Sequence, residues 1–129
     1  MVLFDTCFVI DALRKKEPAV AILRERYLRG EACVVAAATV SELWLGALTS
    51  ISEKEKQRTE EFLSVITIIP FEKECAKQAA QIEFDLSRNG LRLETEDIQI
   101  AATAITHGEI LVTADAHFTR IEGLRVLKY

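Results

Sequence analysis

Short β-branched apolar runs alternate with helix-forming segments along the whole chain, and this alternation restricts the fold more than any other feature. Val2-Leu3-Phe4, Cys33-Val34-Val35-Ala36, Ile66 to Phe71, Ile110 to Thr113 and Leu124 to Leu127 read as strands. The first helix is predicted from Thr6 to about Arg14, with Phe8, Val9, Ala12 and Leu13 as its apolar stripe. Pro18, at a first-turn position, opens a second helix that Gly30 closes. Thr39-Val40-Ser41-Glu42 fits a capping box before an apolar helix from Leu43 to Leu48. Ser52-Glu53-Lys54-Glu55 repeats that signature before a charged helix reaching about Val65. A long helix from about Lys73 to Arg88 stops at Asn89-Gly90. Thr95 then caps a helix over Glu96 to Thr106.

Strands joined by helices predict an α/β fold, a parallel sheet of about five strands with helices on both faces. With 129 residues and no linker, repeat or low-complexity stretch, residues 1–129 make one domain. In such a sheet the functional crevice lies beyond the carboxyl ends of the strands, where strand order switches.

Four acids sit at the joints of this pattern. Asp5 closes the first apolar run, Asp115 follows the fourth, and Glu42 and Asp97 stand near the starts of two apolar helices. Each has a structural explanation when taken alone. Asp5 suits an N-cap, Glu42 the third position of a capping box, Asp97 a helix-dipole complement, and Asp115 a turn. Glu94 and Glu96 crowd Asp97, however, and three acids in four residues exceed what a dipole needs. All four acids also fall at one predicted edge of the sheet. Converging carboxylates repel unless some are protonated or a cation sits among them. An all-oxygen cluster suits Mg²⁺ or Mn²⁺, and such ions drive phosphodiester hydrolysis.

Composition narrows the classes further. A net charge of −4, from 16 Lys and Arg against 20 Asp and Glu, argues against a protein that coats nucleic acid nonspecifically. No apolar run approaches the roughly 20 residues of a membrane helix. The opening Met1-Val2-Leu3-Phe4-Asp5 has no basic region or cleavage site, so a cytoplasmic location is expected. Cys7, Cys33 and Cys75 are widely spaced, with no CxxC pair and no His at zinc-ligand spacing, which suits buried reduced thiols. His107, at a helix C-terminus, and His117, without a second nitrogen ligand nearby, do not suggest a metal-free acid–base ribonuclease.

Two other folds put acids after strands. A haloacid dehalogenase phosphatase needs an Asp where this chain has Cys7, and a receiver domain needs an Asp ending strand three, where Ile68-Ile69-Pro70-Phe71 has none.

Asp5-Thr6-Cys7 resembles the opening acidic motif of PIN-domain nucleases. Thr39 to Ala47 is similar to their helix carrying the second acid, and Asp97 to Ala104 to the motif with the third. Leu111 to Phe118 matches the stretch with the fourth, and Ile121-Glu122-Gly123-Leu124 resembles the closing segment of VapC toxins. The resemblance spans the chain. It implies a three-layer PIN-like fold, a Mg²⁺- or Mn²⁺-dependent endoribonuclease, and a VapB antitoxin that blocks the site.

Asp5, Asp97 and Asp115 are then the expected direct or water-mediated metal ligands, with Glu42 orienting water. Thr6 and Thr113 are candidates to donate hydroxyls to the carboxylates or to a scissile phosphate, or are simple cap and strand-end residues. Arg14-Lys15-Lys16 and Arg92 are candidate phosphate contacts. Trp44, Leu45 and Leu48 fit either the core or a homodimer or antitoxin face. A PIN nuclease of RNA maturation, or a silent binding scaffold, is the alternative to a toxin. Removing one charge at Asp5 or Asp97 is expected to stabilise the metal-free protein.

Overall fold

The first strand, β1 (Val2–Phe4), runs through the middle of the molecule because all three of its side chains are apolar and buried. The computed structural model describes every residue from Met1 to Tyr129. After β1 come α1 (Thr6–Leu13), α2 (Ala19–Leu28), β2 (Cys33–Ala36), α3 (Ala37–Thr49) and α4 (Glu53–Val65). The chain continues through β3 (Thr67–Ile69), α5 (Lys73–Arg88), α6 (Thr95–Thr106) and β4 (Ile110–Thr113). A short 3₁₀ turn (Ala116–Arg120) leads into β5 (Arg125–Lys128). The five strands pair in the order β3-β2-β1-β4-β5, all parallel. Val2 is in register with both Cys33 and Ile110, and Phe4 with Val112.

Strand residues alternate between two cores, as the period of a strand requires. Leu3, Val34 and Leu111 pack with Ile82, Leu86, Ile100 and Phe118 on one face. Val2, Phe4, Val35 and Val112 pack with Phe8, Val9 and Leu43 on the other. The expected three layers are present. Phe8 stacks on Phe4 with ring centroids 4.3 Å apart, and burying a side chain of that size stabilises by about 2–3 kcal/mol. Gly30 and Gly90, at φ +69° and +68°, end α2 and α5 in the left-handed conformation that favours glycine.

Several expected boundaries are corrected. The capping box at Thr39 does not form, because α3 starts at Ala37 directly from β2. Ala37 and Ala38 are strong helix formers with no turn residue before them, so the chain needs no loop there. Glu42 therefore projects from the second turn of α3, and Thr39 is wholly buried. Pro18 precedes the first turn of α2 instead of lying in it, and Thr95 is the first residue of α6, with Glu94 at the cap position. Strand three is shorter than expected and stops before Pro70, which has no N–H to donate. The 3₁₀ turn, held by Asp115, was not legible as an element.

Core packing does not absorb α3 entirely: Trp44 is 39% exposed, and Leu45 and Leu48 are each 63% exposed. No helix is long and apolar enough to cross a membrane.

Candidate active site

Strand order reverses beside β1, since β2 lies on one side of it and β4 on the other. The crevice expected at such a switch point opens beyond the carboxyl ends of β1 and β4, where Asp5 and Asp115 emerge. Asp5 is the N-cap of α1, its Oδ1 accepting the Thr6 N–H at 2.8 Å. It caps and faces the crevice at once. Asp5 Oδ2 accepts from the Thr113 hydroxyl at 2.6 Å and from the Cys7 thiol at 3.1 Å. With three donors on a side chain only 4% exposed, this carboxylate is fixed before any ligand arrives.

Thr113, wholly buried at the end of β4, links two of the acids. While donating to Asp5, its oxygen accepts the Asp115 N–H at 3.0 Å. Asp115 Oδ1 in turn accepts the His117 N–H at 2.8 Å and lies 3.0 Å from His117 Nδ1. The expected turn geometry at Asp115 is real, and it sets the carboxylate beside the crevice. From the other side, α3 brings Glu42 to Thr6, whose hydroxyl donates to Glu42 Oε1 at 2.6 Å and lies 3.1 Å from Thr39 Oγ1. Asp97 enters from the first turn of α6.

Electrostatics tie the four acids together. Burial, and then the charges of Asp5, Glu42 and Asp115, raise the Asp97 carboxyl to about 6. Glu42 is also raised, chiefly by burial, with the Thr6 hydrogen bond opposing and Asp5 adding to the rise. None of the four pairs with a lysine or arginine; the only ion-pair partner is His117, on Asp115. No lysine or arginine side chain is within ion-pairing distance of these carboxylates.

The donor set fits a hard cation, being carboxylate and hydroxyl oxygen. No three His, Cys, Asp or Glu side chains close into a ready-made cage, however.

Clefts flank the acids on both sides. One of about 640 Å³ adjoins Asp97 and is lined by Leu91, Arg92, Leu93, Glu94 and His117. A smaller one of about 140 Å³ adjoins Glu42 and carries Arg14 and Arg58. Arg92 thus shares a cleft with Asp97, and Arg14 shares one with Glu42. His107 stays structural, its Nδ1 3.0 Å from the Thr103 carbonyl oxygen.

Sequence reasoning missed three residues. Cys7 was expected to be a buried thiol; it is half-buried against Asp5, and burial, with Asp5 adding, pushes the thiol up. Thr39 does not cap a helix; the earlier start of α3 buries it with its hydroxyl 3.1 Å from that of Thr6. Tyr129 contacts Cys7 across 122 positions of sequence, a pairing that no local pattern announces.

Four carboxylates without a lysine or arginine partner, at the switch point of a five-stranded parallel sheet, define an acidic-edge α/β domain. The chain belongs to the PIN-domain family, in its VapC branch: the PIN domain model matches residues 2–124. Ribonuclease VapC2 of Haemophilus influenzae is 34% identical over 125 residues, covering 95% of this chain and 93% of that protein. The tRNA(fMet)-specific endonuclease VapC of Shigella flexneri is 32% identical over 127 residues, covering 95% and 93%. Among solved structures, DNA-bound VapBC from Salmonella typhimurium superposes with a TM-score of 0.89 at 27% identity, over 99% of this chain and 98% of that one.

Proposed function

We propose that this chain is a VapC-type endoribonuclease, the toxin of a toxin–antitoxin pair, and that it hydrolyses RNA phosphodiester bonds with Mg²⁺ or Mn²⁺. The observation that carries this is the acidic edge itself, four carboxylates with no lysine or arginine partner in a chain of the VapC branch. A scaffold that only bound partners would have no use for that repulsion.

Asp5, Asp97 and Asp115 would hold the cation directly or through water, and Glu42 would orient water beside it. A bound divalent cation supplies positive charge at the phosphate and acidifies water for in-line attack. Thr113 holds Asp5 and the backbone of Asp115 in mutual register. Thr6 fixes Glu42 in the same way. Arg92 and Arg14 offer phosphate contacts on either side of the cut, and no side-chain nucleophile is required. Structured RNA is the substrate class, since one relative is named for tRNA(fMet). Purified protein should cleave a structured RNA in Mn²⁺ and lose that cleavage in excess EDTA. Undiminished cleavage in EDTA would remove the role given to the acids.

A VapB-like antitoxin as partner is supported by the VapBC structure that the chain superposes on. A cytoplasmic location goes with that pairing. The exposed ridge of Trp44, Leu45 and Leu48 supports a symmetric homodimer, the commonest assembly of soluble chains. Leu48→Glu is expected to shift the protein from dimer to monomer in light scattering at micromolar concentration. A monomeric wild-type protein would overturn the homodimer, and a variant that remains dimeric would place the contact elsewhere.

A further inference from the structure

The Cys7 thiol has three oxygens near it and one proton to give. Asp5 Oδ2 is at 3.1 Å, while Thr113 Oγ1 and Tyr129 Oη are both at 3.7 Å. The nearest acceptor is also the charged one, so the proton goes to Asp5. Tyr129 likewise has one hydroxyl proton, and Asp11 Oδ2 at 2.9 Å takes it. The Tyr129 oxygen therefore turns its lone pairs towards the sulfur and cannot donate to it. Its ring stands edge-on to Phe8, centroids 5.2 Å apart, and Phe8 is stacked on Phe4 just before Asp5. Asp11 and the Phe8 ring, both on α1, thus fix the wall that Tyr129 forms beside Cys7.

From this geometry we infer that Cys7 and Tyr129 are positioning residues of the acidic site: Tyr129, pinned by Asp11, confines the Cys7 thiol so that it donates to Asp5 and holds that carboxylate in its metal-binding orientation. The inference rests on the cation-dependent reading of the acidic edge. Groups that hydrogen-bond a metal-ligating carboxylate typically alter metal affinity by about 10–100-fold when removed. Cys7 is the second side-chain donor on Asp5 Oδ2, beside Thr113.

The test is calorimetric titration of Mn²⁺ into the wild-type protein, Cys7→Ala, Cys7→Ser, Tyr129→Phe and the Cys7→Ala/Tyr129→Phe double variant, with Asp5→Asn as reference. Tyr129→Phe keeps the ring and removes only the hydroxyl that Asp11 pins. Cys7→Ala should weaken Mn²⁺ binding about 10-fold. Cys7→Ser, which keeps a donor, should remain within about threefold of wild type, and Tyr129→Phe should weaken binding by an intermediate amount. The double variant should be no weaker than Cys7→Ala alone, because Tyr129 acts through Cys7. Wild-type affinity in Cys7→Ala, equal losses in Cys7→Ala and Cys7→Ser, or additive losses in the double variant would overturn the inference while leaving the acidic site intact. Wild-type protein that binds no Mn²⁺, or binds it no better than Asp5→Asn, would overturn the acidic-site reading and this inference with it.

Discussion

Asp97→Asn is expected to raise the melting temperature of the metal-free protein by about 4 °C while lowering Mn²⁺-dependent RNA cleavage at least about 100-fold. The two effects share one cause. Asp97 is half-buried among Asp5, Glu42 and Asp115, and its carboxyl is raised from 3.8 to about 6. Between those values the folded chain binds more protons than the unfolded one, so stability falls as pH rises from about 4 to about 6. Above that window the group is ionised in both states, and the folded protein carries the full cost of burying it, with the repulsion of its acidic neighbours added. Partial exposure screens it, leaving on the order of 1 kcal/mol. Asparagine removes the charge, and with it both the pH-dependent loss and the ability to hold a cation. The check is melting temperature across pH 4 to 8 without metal, alongside RNA cleavage in Mn²⁺. A fall in melting temperature with cleavage unchanged would make Asp97 a structural helix-end residue.

Asp5→Asn should abolish cleavage to a similar degree, yet it should not stabilise the metal-free protein. Here the structure corrects the expectation that neutralising either aspartate brings relief. Asp5 accepts from Thr6, Thr113 and Cys7, and an asparagine has one acceptor oxygen where the carboxylate has two. Its amide group would face at least one donor, and a buried polar group left without a partner costs about 1–3 kcal/mol. The expected result is a melting temperature equal to wild type or lower by several degrees. A rise matching that of Asp97→Asn would mean that these three hydrogen bonds do not hold Asp5. The pair of variants thus separates an acid held by donors from an acid held against repulsion.

The sheet was legible because short apolar runs such as Val2-Leu3-Phe4 and Cys33-Val34-Val35-Ala36, each followed by a helix signal, suit buried strands. Asp5 and Asp115 each had a structural explanation alone, and stood out because they fall at one edge of the predicted sheet with Glu42 and Asp97. Helix starts were harder to read. The Thr39-Val40-Ser41-Glu42 signature is a sound local pattern, but an uninterrupted Ala36-Ala37-Ala38 let the helix begin earlier and turned Thr39 inward. Glu42 comes to the acidic edge from the second turn of α3, beside Thr6, and not as the third residue of a capping box. The contacts of Cys7 with Asp5 and Tyr129, and of Thr113 with Asp5, depend on strand register and on the path of β5. Those are tertiary facts, and no window of sequence contains them.

We propose cation binding at the acidic edge through Asp5 and Asp97. Its most direct test is the melting temperature of wild type, Asp5→Asn and Asp97→Asn as Mn²⁺ is raised. A ligand that binds only the folded state stabilises in proportion to the logarithm of its concentration over Kd, about 2.7 kcal/mol at a hundredfold excess. The wild-type melting temperature should therefore climb with Mn²⁺, while both variants stay flat over the same range. Equal climbs in all three proteins would show that the cation binds elsewhere and contradict the account.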